Sequence, residues 1–396
     1  MLILPVEVWE NVIDLLVEGY TTHARSYSDG VSLRNDLIHC ALVCHAWLPR
    51  AQMHLCVYIY VVGSGLSTYE KLINRMPKLC ISAKELQFQN IYTGDANGTV
   101  ADRTVETISH VVRIAHKLPH VHTLFVDDIN LSIEHPYLPK YVTALTSIKA
   151  LKFYTRTPTR LVQLAHFIAG FKNISELVLE VPIVLESNPL SLKPCYTTKS
   201  TLTRLYLLMQ PGGYLLLDWL VKAHSFTTSL HILQVRFLDA ISQSELALTM
   251  QSLQYMLNNC ASHLKEWIFW AKIKVNDFKG IPSVSLATHS AITGLNFRVS
   301  SLWFKHALQQ LKTITSKNIT VIHFWYWLDE TEKPALELWA ELDDILDADH
   351  FSLTKVDVAC VYQDVNFVWK GIGDFNRAEE FPKLLPKVYK RGLLTW

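Results

Sequence analysis

Metal-ligand residue types crowd one short stretch of this sequence, at His39, Cys40, Cys44, His45, His54 and Cys56. A structural zinc site needs four such ligands converging, usually as two closely spaced pairs. Cys40 and Cys44 are one helical turn apart, but they share an apolar stripe with Leu37 and Trp47. On such a stripe a free cysteine behaves as a small hydrophobe, so no metal is expected. Two carboxylate pairs, Asp127-Asp128 and Asp343-Asp344, have the residue type for acid–base work. Asp343-Asp344 lies beside Glu341 and Asp347 in a helical stretch and reads as a solvated face. Asp127 falls at an outward strand position with no partner for proton transfer in view. Gly212-Gly213 follows a proline and reads as a turn. The sequence has no Gly-x-Ser-x-Gly, Walker loop, His-Glu-x-x-His or Gly-x-Gly-x-x-Gly. It supports no enzyme and no cofactor. The chemistry left is recognition, carried by Tyr206, Arg236, Trp270, Arg298 and Trp325, the residue types that dominate protein–protein hot spots.

These five are placed by a repeated pattern, clearest from Ile174 to Glu180: an apolar residue, two mostly polar residues, then Leu-x-apolar-x. Its anchors are Leu86, Leu124, Leu151, Leu177, Leu205, Leu233, Trp267, Leu295, Ile322 and Val356. The positions three before and two after each anchor are apolar throughout. Strand alternation puts each anchor and the apolar residue after it on one face, and the intervening residue on the other. Helical spacing follows several strands, in Val105, Ile108, Val112 and Ala115, in Leu161, Leu164, Ala165 and Ile168, and in Trp339, Leu342, Ile345 and Leu346. A period near 27 residues with one strand and one helix per unit resembles a leucine-rich repeat. The usual Asn or Cys closing the turn is missing from most units. Units this small bury their apolar faces only by stacking. The expected fold is α/β, a repeat solenoid with one parallel sheet in chain order and helices on its outer face. Tyr206, Arg236, Trp270, Arg298 and Trp325 then fall at outward positions on the inner arc, where they form a binding patch or, if helices or loops cover that face, leave Trp270 and Trp325 as plain core.

The chain of 396 residues is too long for one compact core. Hydrophobic residues make up 49% and charged residues 18%, so most of the chain can fold. A formal charge of +1 without a basic run argues against nucleic acid as partner. No segment approaches the ~18 apolar residues of a membrane span, and the first residues do not read as a signal peptide. Seven scattered cysteines without a Cys-x-x-Cys point to a reducing compartment, cytoplasmic or nuclear.

At the N-terminus, Pro5 suits the first turn of a helix, and Val6, Trp9, Ile13 and Leu16 make an apolar stripe. Val8, Val12 and Leu15 fall beside it, giving a surface wide enough for two partners, one of them outside the chain. Residues 17–32 read as a loop. A second helix is expected from Leu33 to Trp47, ended by Pro49, and the stretch from Ala51 to Tyr60 leads toward a strand. Leu4-Pro5-x-Glu7-x-Trp9 with Ile13 and Leu16, then Leu37, Cys40, Val43-Cys44-x-x-Trp47, Leu48-Pro49-Arg50 and Leu55, resembles the F-box of fungal F-box-like proteins. The resemblance covers about a seventh of the chain, and the loop at 17–32 exceeds the family's usual link. It implies docking to the small adaptor subunit of a cullin-RING ubiquitin ligase, through Leu4, Pro5, Val8, Trp9, Ile13 and Val43, while the rest of the chain binds a target protein. The organisation expected is a helical module at 1–60, the repeat array at 61–370 and a capping tail at 371–396. Two other readings stay open: an interaction scaffold unconnected to ubiquitin, and an enzyme whose site the sequence does not reveal.

Overall fold

A computed structural model describes residues 5–23, 27–62, 66–75, 82–89, 114, 117–127, 131, 146–184, 202–222, 229–237, 241–272, 281–328, 336–348, 351–363, 369–370 and 377–395. The chain divides into two compact units, Met1–Tyr154 with His166–Asn173, and Thr155–Ala165 with Ile174–Trp396.

The first unit begins with α1 (Val6–His23), α2 (Tyr27–Val43) and α3 (Leu48–Val57). The expected loop at 17–32 is not found: α1 runs to His23 and α2 starts at Tyr27. Val17 is one turn beyond Ile13, and both are buried against Leu37. That packing carries the helix past the point where composition changes, because tertiary contacts override propensity. The second helix also ends earlier than expected, at Val43, and Trp47 N–H closes a turn on the Cys44 carbonyl. Pro49 does not terminate it. Pro49 opens α3, in a first turn that needs no N–H donor.

After α3 come β1 (Tyr58–Val62), α4 (Leu66–Arg75), β2 (Glu85–Gln89), β3 (Thr123–Asp127) and β4 (Ala150–Tyr154). They pair in parallel and in chain order, with Ile59 opposite Leu86, Leu86 opposite Leu124 and Leu124 opposite Leu151. Ile59 precedes Leu86 by 27 residues, with Cys56 and Val61 in the flanking apolar positions. The pattern therefore starts one unit earlier than the ten anchors counted in the sequence.

The second unit contains β5 (Thr159–Arg160), the first half of α5 (Leu161–Ala169), then β6 (Glu176–Glu180), β7 (Ile183–Val184), β8 (Arg204–Met209) and α6 (Gly213–Lys222). Next are β9 (Ile232–Phe237), α7 (Gln243–Cys260), β10 (Glu266–Ala271), β11 (Gly294–Ser300) and α8 (Ser301–Thr313). The unit ends with β12 (Val321–Leu328), α9 (Leu336–Asp347), β13 (Lys355–Gln363), β14 (Trp369–Lys370), α10 (Arg377–Leu384), α11 (Pro386–Lys390) and β15 (Leu394–Thr395). Anchor meets anchor across six successive parallel pairs of the large sheet, from Leu177 through Leu205, Leu233, Trp267, Leu295 and Ile322 to Val356. Among the described residues, only β14, at the edge, pairs antiparallel.

All ten expected anchors are buried, as are the residues three positions before them. Trp267 takes a leucine's place because its indole N–H finds Gln310 Oε1 at 3.0 Å, which satisfies the one polar atom the larger ring brings in. The missing turn asparagines are replaced by a backbone ladder at the start of each strand. Thr203 and Arg204 N–H both donate to the Ser175 carbonyl, and the same pair of bonds recurs at 293–294, 320–321 and 354–355. Threonine two residues before the anchor adds a hydroxyl bond at Thr203, Thr293, Thr320 and Thr354. At Gly212, φ is +78° and a Cβ would lie 2.3 Å from the Ile183 carbonyl oxygen. Only glycine closes that turn.

Two of the three expected helical stripes are found, in α5 and α9, with Leu164, Ile168, Trp339, Leu342 and Leu346 buried. The third, at Val105 to Ala115, lies outside the described residues. The tail covers the last repeat: Phe381 lies 6.0 Å from Trp339, and β15 adds a strand to β13. Asp343 corrects the solvated-face reading. It is buried, and its carboxylate accepts from Lys387 and Val388 N–H at 3.1 Å each. A carboxylate there satisfies two of the N–H groups that the first turn of α11 leaves unpaired. Asp344 is exposed and pairs with Lys387 Nζ at 2.6 Å.

Candidate functional site

The residues opposite the core in β8 to β12 form rows, because parallel register stacks equivalent positions. One row reads Leu208, Arg236, Trp270, Arg298, Trp325 and Ala359. Arginine and tryptophan alternate on four neighbouring strands. The Arg236 guanidinium lies 3.5 Å from the centre of the Trp270 ring, and that of Arg298 lies 5.3 Å from Trp270 and 4.4 Å from Trp325. Such cation–π contacts contribute ~0.5–2 kcal/mol each, depending on desolvation. Trp327, two residues beyond Trp325, stacks on Trp270 at 5.8 Å and 13°, and Lys272 Nζ lies 5.9 Å from the Trp327 ring.

Four of the five residues expected in the recognition patch therefore share one row. Tyr206 lies one row over, beside Gln234, where burial raises its phenol pKa. Trp270 corrects the picture of a fully outward side chain: it is 9% exposed. Arg236, Arg298 and Trp327 stack against it, so it acts as the floor of the patch. Arg236, Arg298 and Trp325 are half-buried. Sequence reasoning missed Trp327 and Lys272. Both sit five residues after an anchor, beyond the strand length that the pattern defines. The next row holds His323, whose Nδ1 is 3.0 Å from Asp357 Oδ2.

In the first unit, α1 buries Ile13 and Val17 against Leu37 of α2, with Leu16, Cys40, Trp47 and Leu55 packed around them. Trp9 is half-buried, its ring centre 4.8 Å from that of Trp47. On the side facing α3, Asp14 pairs with Arg50 and with His54 Nε2 at 2.7 Å. The hydrogen bond from Arg50, ahead of that from His54, holds the Asp14 carboxyl down at about 2.

The outward side is apolar. Val8, Val12 and Leu15 on α1 follow i, i+4, i+7 spacing and are exposed, Leu15 at 65%. On α2, Leu42 is 78% and Val43 61% exposed, and Ile38 is exposed one turn before Leu42. Pro5 is exposed too. Ile13 was expected to meet the adaptor and is corrected: at 1% exposure it belongs to the module's own core. Leu4 lies outside the described residues. Val12, Leu15, Ile38 and Leu42 were not named as contacts, though Val12 and Leu15 stand out in the sequence as excess apolar width.

Among the described residues, no group of three His, Cys, Asp or Glu is placed to hold a metal ion, and Cys44 is exposed. Ser283 Oγ lies 3.0 Å from His306 Nδ1, and its hydroxyl donates to Gln309 Oε1. A hydroxyl whose proton already goes to an amide is not being activated by the imidazole. The pair instead ties the 281–286 segment to α8.

No protein-family model matches the sequence, and no curated protein matches it. Solved structures show a partial likeness, two of them as follows. The leucine-rich repeat-containing protein LegL7 from Legionella pneumophila is 13% identical, with TM-score 0.40 over 83% of this chain and 97% of its own. A chain of the yeast Rad7 and Elc1 complex is 12% identical, with TM-score 0.37 over 76% of this chain and 84% of its own. At these scores neither likeness carries an argument.

Proposed function

We propose that this chain is a recognition subunit of a cullin-RING ubiquitin ligase, without catalytic residues of its own. Its helical module docks the adaptor subunit, and its repeats hold the protein to be ubiquitinated. The observation that carries the docking half is the exposed apolar side of α1 and α2. Ile13, Val17 and Leu37 form a buried core, and Val8, Val12, Leu15, Ile38, Leu42 and Val43 stay exposed outside it. Exposed apolar groups clustered on one small module mark a partner surface, and the sequence around them resembles an F-box. The repeat half is supported by the aromatic and arginine row. No helix among the described residues is long and apolar enough to cross a membrane, and the work fits a reducing compartment.

The test is equilibrium binding of the full chain to the purified adaptor subunit, with a Val8→Ala, Val12→Ala, Leu15→Ala variant beside the parent. All three side chains are exposed, so the melting temperature should hold. Affinity should fall about tenfold or more, which is ~1.4 kcal/mol. No binding by the parent would overturn the ligase assignment and leave the scaffold reading, which rests on the repeats alone.

A further inference from the structure

We infer that the 281–289 segment is an acid-released clasp between α7 and α8, opened when the imidazoles of His289 and His306 take up protons. The device belongs to the fold alone and is independent of the adaptor.

Helices follow β8, β9, β11 and β12, but the described residues between β10 and β11 form none. The 281–289 segment takes a helix's place there, with Ile281, Val284 and Leu286 buried. Side chains of both flanking helices hold its backbone. Ser285 N–H donates to Gln254 Oε1 of α7 at 2.5 Å, and Gln254 Nε2 donates to the Ser285 carbonyl at 3.1 Å. From the other side, Leu286 N–H donates to Thr313 Oγ1 of α8 at 2.8 Å. A segment outside any helix or strand can open as a local unit while the strands stay paired.

Two histidines lock the segment in place. His289 is fully buried, and its Nε2–H donates to the Leu257 carbonyl of α7 at 3.0 Å. Its Nδ1 lies 3.4 Å from Thr288 Oγ1. His306 of α8 is also buried, and its Nδ1–H donates to Ser283 Oγ at 3.0 Å. Each ring makes its bond uncharged, and a second proton would put a charge in a site taken out of water. Burial holds both imidazoles below their ordinary value, for His289 against the pull of the Leu257 and Leu286 carbonyls. Opening frees the rings to charge in water. The closed segment therefore keeps its full stability above about pH 6.5 and loses it as pH falls. Other titratable groups on these elements do not supply the effect. Cys260 Sγ shares the Leu257 carbonyl at 3.4 Å, and burial pushes its thiol up to about 12, so it stays neutral. His263 on the α7 side is exposed, as are Lys305, Lys312 and Lys317 on the α8 side, with Lys312 paired to Glu341 at 2.5 Å.

The experiment is amide hydrogen exchange of the full chain at about pH 7.5 and about pH 5.5, corrected for the intrinsic pH dependence of exchange and read at Ser285 and Leu286. Protection there should fall several-fold on acidification, by up to about tenfold for each histidine, while Leu205 and Leu233 in β8 and β9 keep theirs. His289→Gln with His306→Asn keeps an N–H donor at each place but cannot titrate, so its protection should be the same at both pH values. Gln254→Ala loosens the clasp without touching the histidines and should lower protection by one factor at both. If the histidine variant does not fold, the parent decides alone. Its His289 ring, followed by NMR, should be mostly neutral at about pH 6.5, and a half-charged ring there would overturn the inference. So would equal parent protection at the two pH values, a fall that persists in the histidine variant, full protection in Gln254→Ala, or a fall shared by Leu205 and Leu233.

Discussion

Cys260 closes α7 with its thiol buried and directed at the Leu257 carbonyl, 3.4 Å away. Burial pushes its pKa up to about 12, so roughly one part in 10⁴ is thiolate at pH 8, and the thiolate is the reactive form. Cys44 lies on the surface. Brief iodoacetamide treatment of the folded protein, mapped by mass spectrometry, should therefore label Cys44 and spare Cys260 until denaturant is added. Early labelling of Cys260 would show that α7 does not pack as described. At this scale the sequence was readable wherever a residue's neighbours were local. Cys40 on an apolar stripe was such a case. Asp343 was not, because its partners are the N–H groups of Lys387 and Val388, over forty positions away. Nor was the floor role of Trp270, which depends on which residues lie on the strands either side of it.

Among the elements, the strands were the most legible, since period-two alternation and a period near 27 fix both the face and the partner. The β1 strand was foreseen only as what the 51–60 stretch leads toward, and not as a unit of the repeat, because it follows directly on α3 with no turn signal to separate helix from strand. The helices α1 and α2 were misjudged at the ends where they approach each other: glycine and serine there signal a loop, but the buried Val17 and Leu37 outweigh that signal. The strand register makes a sharp forecast. Leu177 is fully buried between Leu205 and the core, so Leu177→Asp places an unpaired charge in an apolar site. The cost should be about 4 kcal/mol or more, enough to unfold a marginal unit. Glu180 sits half-buried on the opposite face of the same strand, and Glu180→Ala should cost less than about 1 kcal/mol. Thermal melts of the two variants measure this, and equal shifts would contradict the register.

For the molecule as a whole, one chain carries two kinds of surface: an apolar helical one near its start and one of arginine and aromatic side chains on its repeats. The division of labour was legible because each half has its own pattern, a helix stripe too wide for one partner and a strand pattern with outward aromatics. The membership of each surface was legible only in part, with Ile13 turned inward and Trp327 unforeseen, because that depends on packing between elements distant in sequence. Hydrogen exchange of the full chain with and without the adaptor subunit tests the account most directly. Protection should appear in peptides covering 8–15 and 38–43, with strands 232–237, 266–271, 294–300 and 321–328 unchanged. Protection on those strands, or none in the helices, would contradict it.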